Sequence, residues 1–211
     1  MIYIVKHREY DNPVPKDHKE LFVGDLFSDK GLPNINELNL YINELTGLYD
    51  IWVNSRDKIV GLSHYRRLFI NNGDYVNLKD AEEILKEKDI IITPEVKFNM
   101  SLYWQLRYEV ENSDYLDKYL NMYYEKEPLF KDYIENHKGF SNREMFICKR
   151  ELIDKYCKEI FSIVLPTTYE FIKEDYKHCN SRLISHIAER YFYYWVLKNA
   201  LKVHNMEYKD I

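Results

Sequence analysis

The chain has only three cysteines, Cys148, Cys157 and Cys179, an odd number with no C-x-x-C pair. That count argues against a disulfide framework and for reduced thiols in or near the core. His178 beside Cys179 fits no standard zinc-ligand spacing with the other two cysteines, so no metal is expected. Also missing is any run of eighteen uncharged apolar residues, and Met1 to Val5 is too short for a signal-peptide core. No transmembrane segment is expected, and the default is a cytoplasmic protein, at most peripheral at the inner membrane face. There is no excess of positive charge: the net charge is −5 and the pI about 5.8, which disfavours non-specific nucleic-acid binding while allowing a local cationic cleft. No internal repeat or linker divides the 211 residues, and residues 1–211 read as one domain with a substantial core.

Apolar and amphipathic surface is abundant. Hydrophobic residues make up 45% of the chain and aromatics 16%, with twenty tyrosines, a composition far from that of a disordered chain. Ile2 to Val5 reads as a short buried strand, and Lys6 to Asn34, with Pro13, Pro15, Gly24, Gly31 and Pro33, as mostly loop. Asn34 or Asn36 caps a helix whose apolar positions run from Leu38 through Leu45 and Leu48 to Trp52. A strand over Ile59 to Ser63, a turn at Asn71 to Asp74, a helix near Lys79 to Glu87 and a strand over Asp89 to Thr93 follow. Two or three helices are expected between Ser101 and Lys138, then a strand over Glu144 to Lys149 and a helix from Glu151 to about Val164 that stops at Pro166. A last helix begins near Asn180 or Ser181 and runs to about Lys202, with Leu183, Ile184, Ile187, Ala188, Tyr191 and Trp195 as its core face. Strands alternating with helices predict an α/β fold.

The most informative stretch is Lys58 to Arg67, where a short apolar run ends in His64, Tyr65, Arg66 and Arg67. Ligands in open α/β sheets collect at the carboxyl ends of strands, and guanidinium forks match phosphate oxygens. The cluster therefore suits a phosphorylated ligand. The plain alternative is a pair of surface arginines matched to nearby carboxylates, with His64 a satisfied boundary residue.

On the last helix Arg182, His186, Glu189 and Tyr193 fall on one narrow stripe distinct from the apolar face. Such a stripe is either solvated or the border of a cleft. Glu44 sits at the edge of the first helix's apolar face, where a carboxylate needs a partner or must reach water with its head.

Taken in order, Asn43-Glu44-Leu45-Thr46-Gly47-Leu48-Tyr49, Gly61-Leu62-Ser63-His64-Tyr65-Arg66-Arg67, Met145-Phe146-Ile147 and Ala188-Glu189-Arg190 resemble the HYRR-type glycosyltransferases of bacterial capsular and exopolysaccharide loci, formerly a domain of unknown function. The opening strand with Lys6-His7 and the Asp89 to Ile92 strand also fit. The chain departs from the family at Glu144, commonly Asn, and at Ser185, often Gly, and the family's histidine between Trp104 and Asp114 is missing. The resemblance implies a GT-A-like, Rossmann-like domain with a central mostly parallel sheet and a helix-rich C-terminal half. It implies transfer of a sugar from a nucleotide diphosphate such as UDP to a hydroxyl of a glycan or lipid-linked oligosaccharide. The GT-A metal is usually held by D-x-D carboxylates, which this sequence lacks. His64, Tyr65, Arg66 and Arg67 are expected to bind the donor diphosphate in its place, without a divalent metal or other cofactor. Glu189, or else Glu144, is expected to act as base toward the acceptor hydroxyl, supported by Lys6, His7, Glu44, Arg182, His186 and Arg190.

Three other readings stay open on sequence grounds. The same chemistry could act on a modified base of phage DNA, which the net charge disfavours. His64 could be a phosphoryl-transfer nucleophile with Glu189 as acid. The domain could also be a non-catalytic phosphoglycan-binding module.

Overall fold

The structure is a computed structural model and describes residues 1–9, 11, 14–110, 113–174 and 181–211. In chain order the strands are β1 (Ile2–Lys6), β2 (His18–Phe22), β3 (Ile59–His64), β4 (Arg67–Asn71), β5 (Asp74–Tyr75), β6 (Ile90–Ile92), β7 (Val96–Lys97), β8 (Gly139–Phe140), β9 (Phe146–Lys149), β10 (Val203–Asn205) and β11 (Tyr208–Asp210). The helices are α1 (Asn39–Ile42), α2 (Glu44–Asn54), α3 (Leu78–Ile84), α4 (Leu102–Glu109), α5 (Ser113–Lys126), α6 (Leu129–Asn136), α7 (Arg150–Lys173) and α8 (Leu183–Lys198).

The main sheet runs β10-β6-β9-β3-β1-β2, and along this path every strand but β9 points the same way. This is the mostly parallel α/β sheet that the sequence predicts. Its residues alternate between two cores because successive side chains of a strand point to opposite faces. Tyr3, Val5, Ile90, Ile92, Phe146 and Cys148 face a large helical layer, while Ile2, Ile91 and Ile147 face a smaller core with Ala81 and Leu85. Cys148 and Cys157 are buried free thiols. Cys179 and the neighbouring His178 lie outside the described residues. No described helix is long and apolar enough to cross a membrane.

Four expectations need correction. The segment from Lys6 to Asn34 contains β2, which pairs in parallel with β1 through the five residues Ile2 to Lys6. Its sequence, His-Lys-Glu-Leu-Phe, carries no strand pattern because it is a half-exposed edge and takes its conformation from its neighbour. The helix expected from Asn34 is broken at Asn43, whose φ of 45° and ψ of −119° separate α1 from α2. The helix expected to stop at Pro166 continues to Lys173. Pro166 lies on the exposed side of α7, as does Ser162, whose carbonyl it deprives of an N–H, while Thr167 and Thr168 each donate a hydroxyl bond of 2.7 Å to the carbonyls of Ile163 and Val164. Finally, α8 ends at Lys198, Ala200 turns with φ of 48°, and the chain re-enters the sheet as β10 and β11.

Close approach of α2 to the sheet rests on Gly47. A Cβ there would stand 2.6 Å from Val5 Cγ2, so only glycine lets the helix sit this low on β1. The first turn of α2 is thereby set beside the end of β3.

Candidate active site

β1 and β3 are neighbours and run parallel, so their carboxyl ends deliver His7 and the His64–Arg67 corner to the same edge of the sheet. β9 runs the other way, and its approach, Arg143-Glu144-Met145, therefore arrives at that same edge. The loop before it is fixed to the end of β6 by a 2.8 Å hydrogen bond between the buried Thr93 and Ser141 hydroxyls. The first turns of α2 and α8 close the site from the helical side.

Backbone strain collects here. Asn43 (φ 45°), Arg143 (φ 125°) and Glu144 (φ 50°) all lie at positive φ without being glycine, a conformation that persists only where the surroundings enforce it. The Asn43 side chain donates a 2.6 Å bond to Ser185 Oγ, and Ser185 Oγ donates to the Arg182 carbonyl at 2.9 Å, which ties the start of α2 to the start of α8.

His64 is buried, with Nδ1 3.5 Å from Glu44 Oε1. Burial pulls its imidazole below the ordinary value despite Glu44, and Arg67 and Arg143 add to the effect. For Glu44, burial works to raise the carboxyl, but His64, its own backbone N–H, Arg182 and His7 together outweigh it and hold the group ionised. Tyr65 is buried and meets the His7 ring edge-on at 4.8 Å. Burial lowers the His7 imidazole against the pull of Glu44, with Arg8, Arg182 and Arg66 lowering it further. Arg66 is solvent-exposed and lies over the Tyr65 ring at 5.2 Å.

The carboxylates differ in kind. Glu144 is buried, and Tyr156 donates a 2.9 Å bond to its Oε1. Burial, then the charge of Glu189, raises its carboxyl well above the ordinary value against the Tyr156 hydrogen bond. Glu189 is partly buried, and burial, with Glu44 and Glu109, pushes it up to about 7 against Arg190 and Arg143. Both carboxyls are raised by burial, and Glu189 is poised to change form near neutrality.

Not every residue singled out in the sequence is open to a ligand at this edge. Lys6 pairs with Glu20 at 2.6 Å, and Arg67 with Asp210 at 3.0 Å. Arg190 is fully buried under the site: its terminal nitrogens donate to the His186 carbonyl, to Glu109 at 2.6 Å and to Gln105, its Nε is buried without a hydrogen-bond partner among the described residues, and the guanidinium lies over the Phe140 ring. His186 also faces Glu109, at 3.6 Å, and burial takes its imidazole down to about 4. Arg182 is exposed, and its charge acts on Glu44, His7 and His186 alike. Sequence reasoning missed Arg143, Tyr156, Asn43 and Asp210. Arg143 and Asn43 adjoin residues it did single out, but nothing in composition signals a left-handed backbone at a non-glycine residue.

The fold resembles that of a solved bifunctional glycosyltransferase, WbbM in its apo form, with a TM-score of 0.82 at 18% sequence identity. The match covers all of this chain and 45% of that one, so this chain spans less than half its length. No curated protein matches the chain. The model of a family described as a domain of unknown function (DUF4422) matches residues 1–200, and the chain belongs to that family.

Proposed function

We propose that the protein is a glycosyltransferase that moves a sugar from a nucleoside diphosphate to a hydroxyl of a glycan or lipid-linked oligosaccharide. The observation that carries this reading is a carboxyl poised near neutrality, Glu189, in electrostatic reach of Glu44 and Arg143 at the edge where β1 and β3 end, with the exposed Arg66 on the corner that follows β3. The fold shared with a glycosyltransferase supports it.

In this reading the acceptor hydroxyl gives its proton to the Glu189 carboxylate as its oxygen attacks the anomeric carbon. The bond from that carbon to the diphosphate oxygen breaks, and its electron pair leaves with the diphosphate. Arg66 and Arg182 stabilise the negative charge that develops. A group with a value near 7 is matched to proton transfer at neutral pH, which favours Glu189 as base over Glu144, whose carboxyl is buried and raised well above its ordinary value. The side chains at the corner are cationic and phenolic where a divalent ion needs carboxylates, a donor set that does not fit Mg²⁺ or Mn²⁺. The burial of His64 and its contact with Glu44 favour a role in fixing the corner over one as phosphoryl nucleophile.

Calorimetry of the purified protein against UDP-, GDP-, dTDP- and CMP-sugars, each in EDTA and in Mn²⁺, tests the proposal. Binding of one donor in EDTA that is lost in Arg66→Ala is the expected result. Binding only with Mn²⁺ would remove the metal-free part, and no binding to any donor would remove the glycosyltransferase reading.

A further inference from the structure

The corner carrying Tyr65 and Arg66 is a weak piece of sheet when taken alone. Neither turn residue is among those at positive φ, and a two-residue hairpin loop of that hand splays the strands it joins. β3 and β4 accordingly share one residue pair, His64 with Arg67, before β4 diverges. β5 pairs with β4 at its far end, through Ile70 and Asn71. The end next to the corner is held by β11 instead, through Asp210 opposite Arg67, Lys209 opposite Leu68 and Tyr208 opposite Phe69.

β11 and Ile211, the residue that follows it, reach three of the four corner residues by three different interactions. The Ile211 N–H donates a 2.9 Å bond to the Arg66 carbonyl. The Ile211 side chain packs on the small cluster of Ile4, Tyr65 and Leu68. Asp210 Oδ1 stands 3.0 Å from Arg67 Nε. The other end of this arm is anchored in the main sheet, where β10 pairs with β6, the Met206 N–H donates to the Ile92 carbonyl, and Met206 is buried. The whole arm lies beyond the residues, 1–200, that the family model matches.

We propose that β11 is a positioning strand for the corner: Ile211 fixes Tyr65 and Arg66 from beneath while Asp210 draws Arg67 aside, so that Arg66 and not Arg67 is presented to the anionic ligand. The inference rests on reading the corner as the diphosphate site. Asp210 is largely exposed, so its ion pair adds little stability. Its effect is directional, setting which guanidinium faces the ligand. Packing of Ile211 and the β4 pairings hold the corner's height.

Phenylglyoxal modification, followed arginine by arginine with peptide mass spectrometry, tests this on the full chain and on Asp210→Asn, Asp210→Glu and Ile211→Asp. In the wild type Arg66 reacts faster than Arg67, and UDP, GDP or dTDP, whichever calorimetry finds to bind, slows Arg66 alone. Asp210→Asn raises the reactivity of Arg67 about tenfold and Asp210→Glu restores its protection. Ile211→Asp weakens nucleoside diphosphate binding about tenfold at unchanged circular dichroism, the loss expected for one misaligned charge-assisted hydrogen bond. Equal Arg67 reactivity in wild type and Asp210→Asn overturns the proposal, as does Ile211→Asp binding the nucleotide like wild type. If the wild type binds none of the three nucleotides, the diphosphate reading falls and with it the purpose of the strand, while the Arg67 reactivities still report whether the brace exists.

Discussion

Two arginine-centred clusters lie within this one edge of the molecule, and they are built in opposite ways. Arg190 sits under the helical layer with no solvent exposure, its fork taken up by Glu109, Gln105 and a helix carbonyl. Arg66 stands on a hairpin corner in solvent, its backbone fixed by Ile211 and its guanidinium over a buried tyrosine ring. A buried guanidinium is tolerable only when partnered, so the bonds of the first cluster fix α4 against α8, and with no surface in solvent Arg190 is closed to a ligand. The second keeps its donors toward water, where an anion can displace solvent. Proximity to the site does not separate a structural cation from a binding one; the state of its hydrogen bonds does.

The largest effect that would test this division is at Glu189, the group between the clusters. Glu189→Gln should lower kcat by about 10²- to 10⁴-fold, the usual worth of a general base. In the wild type kcat/KM should rise with pH to a plateau above about 7, as the carboxyl ionises, and the variant should lose that limb. The same residue predicts a stability signature of opposite sense. Its folded-state value, about 7, lies above the ordinary 4.5, so the folded chain holds the proton longer than the unfolded one. Its contribution is fully present below about 4.5 and is lost as pH rises through about 7. Glu189→Gln should therefore raise Tm relative to wild type at pH 8 and leave it nearly unchanged at pH 4, measured by thermal unfolding.

Next in size, Arg190→Ala should destabilise the fold by about 3 kcal/mol, near the low end for breaking a buried pair because Glu109 is partly exposed. For a domain of this length that is a fall in Tm of about 6–12 °C. If Arg190→Ala instead melted like wild type and lost donor affinity, the division between the clusters would be wrong. Arg66→Ala should do the reverse: about a 10- to 100-fold loss in donor affinity by calorimetry, with Tm unchanged within about 1 °C. The smallest effect is the overpacking of Gly47→Ala, about 1–3 kcal/mol, with Val5 forced away and the first turn of α2 lifted. Because Glu44 rides on that turn, donor affinity should fall along with Tm, which sharpens the link between helix seating and the corner.

Much of the site was legible because its signals are local. The apolar run of β3 ending in His64 to Arg67, the core face of α8 and the polar stripe with Glu189 all follow from side-chain periodicity within one element. Glu44 stood out as a carboxylate on an apolar face, and its partner is His64, a neighbour in space rather than in sequence. Most of the elements that escaped carry no pattern of their own, since β2, β5, β10 and β11 are short, polar or at edges, whereas β4 was missed despite its apolar Leu68-Phe69-Ile70 run. Pro166 misled because a helix tolerates a proline where the carbonyl it orphans can find another donor, and here Pro166 and Ser162 both lie on the exposed side of α7.

The sequence by itself determined the α/β class, the corner's chemistry and the helices that carry the carboxyls, because periodicity and residue type act within a few residues of chain. Tertiary structure decided which of those residues share an edge and how far burial shifts their carboxyls. The reversal of β9 brings Glu144 to the carboxyl ends of its neighbours, burial separates Glu144 from Glu189, and β11 claims Arg67. Desolvation and charge pairing depend on neighbours brought together from distant parts of the chain, and those neighbours exist only once the sheet has assembled.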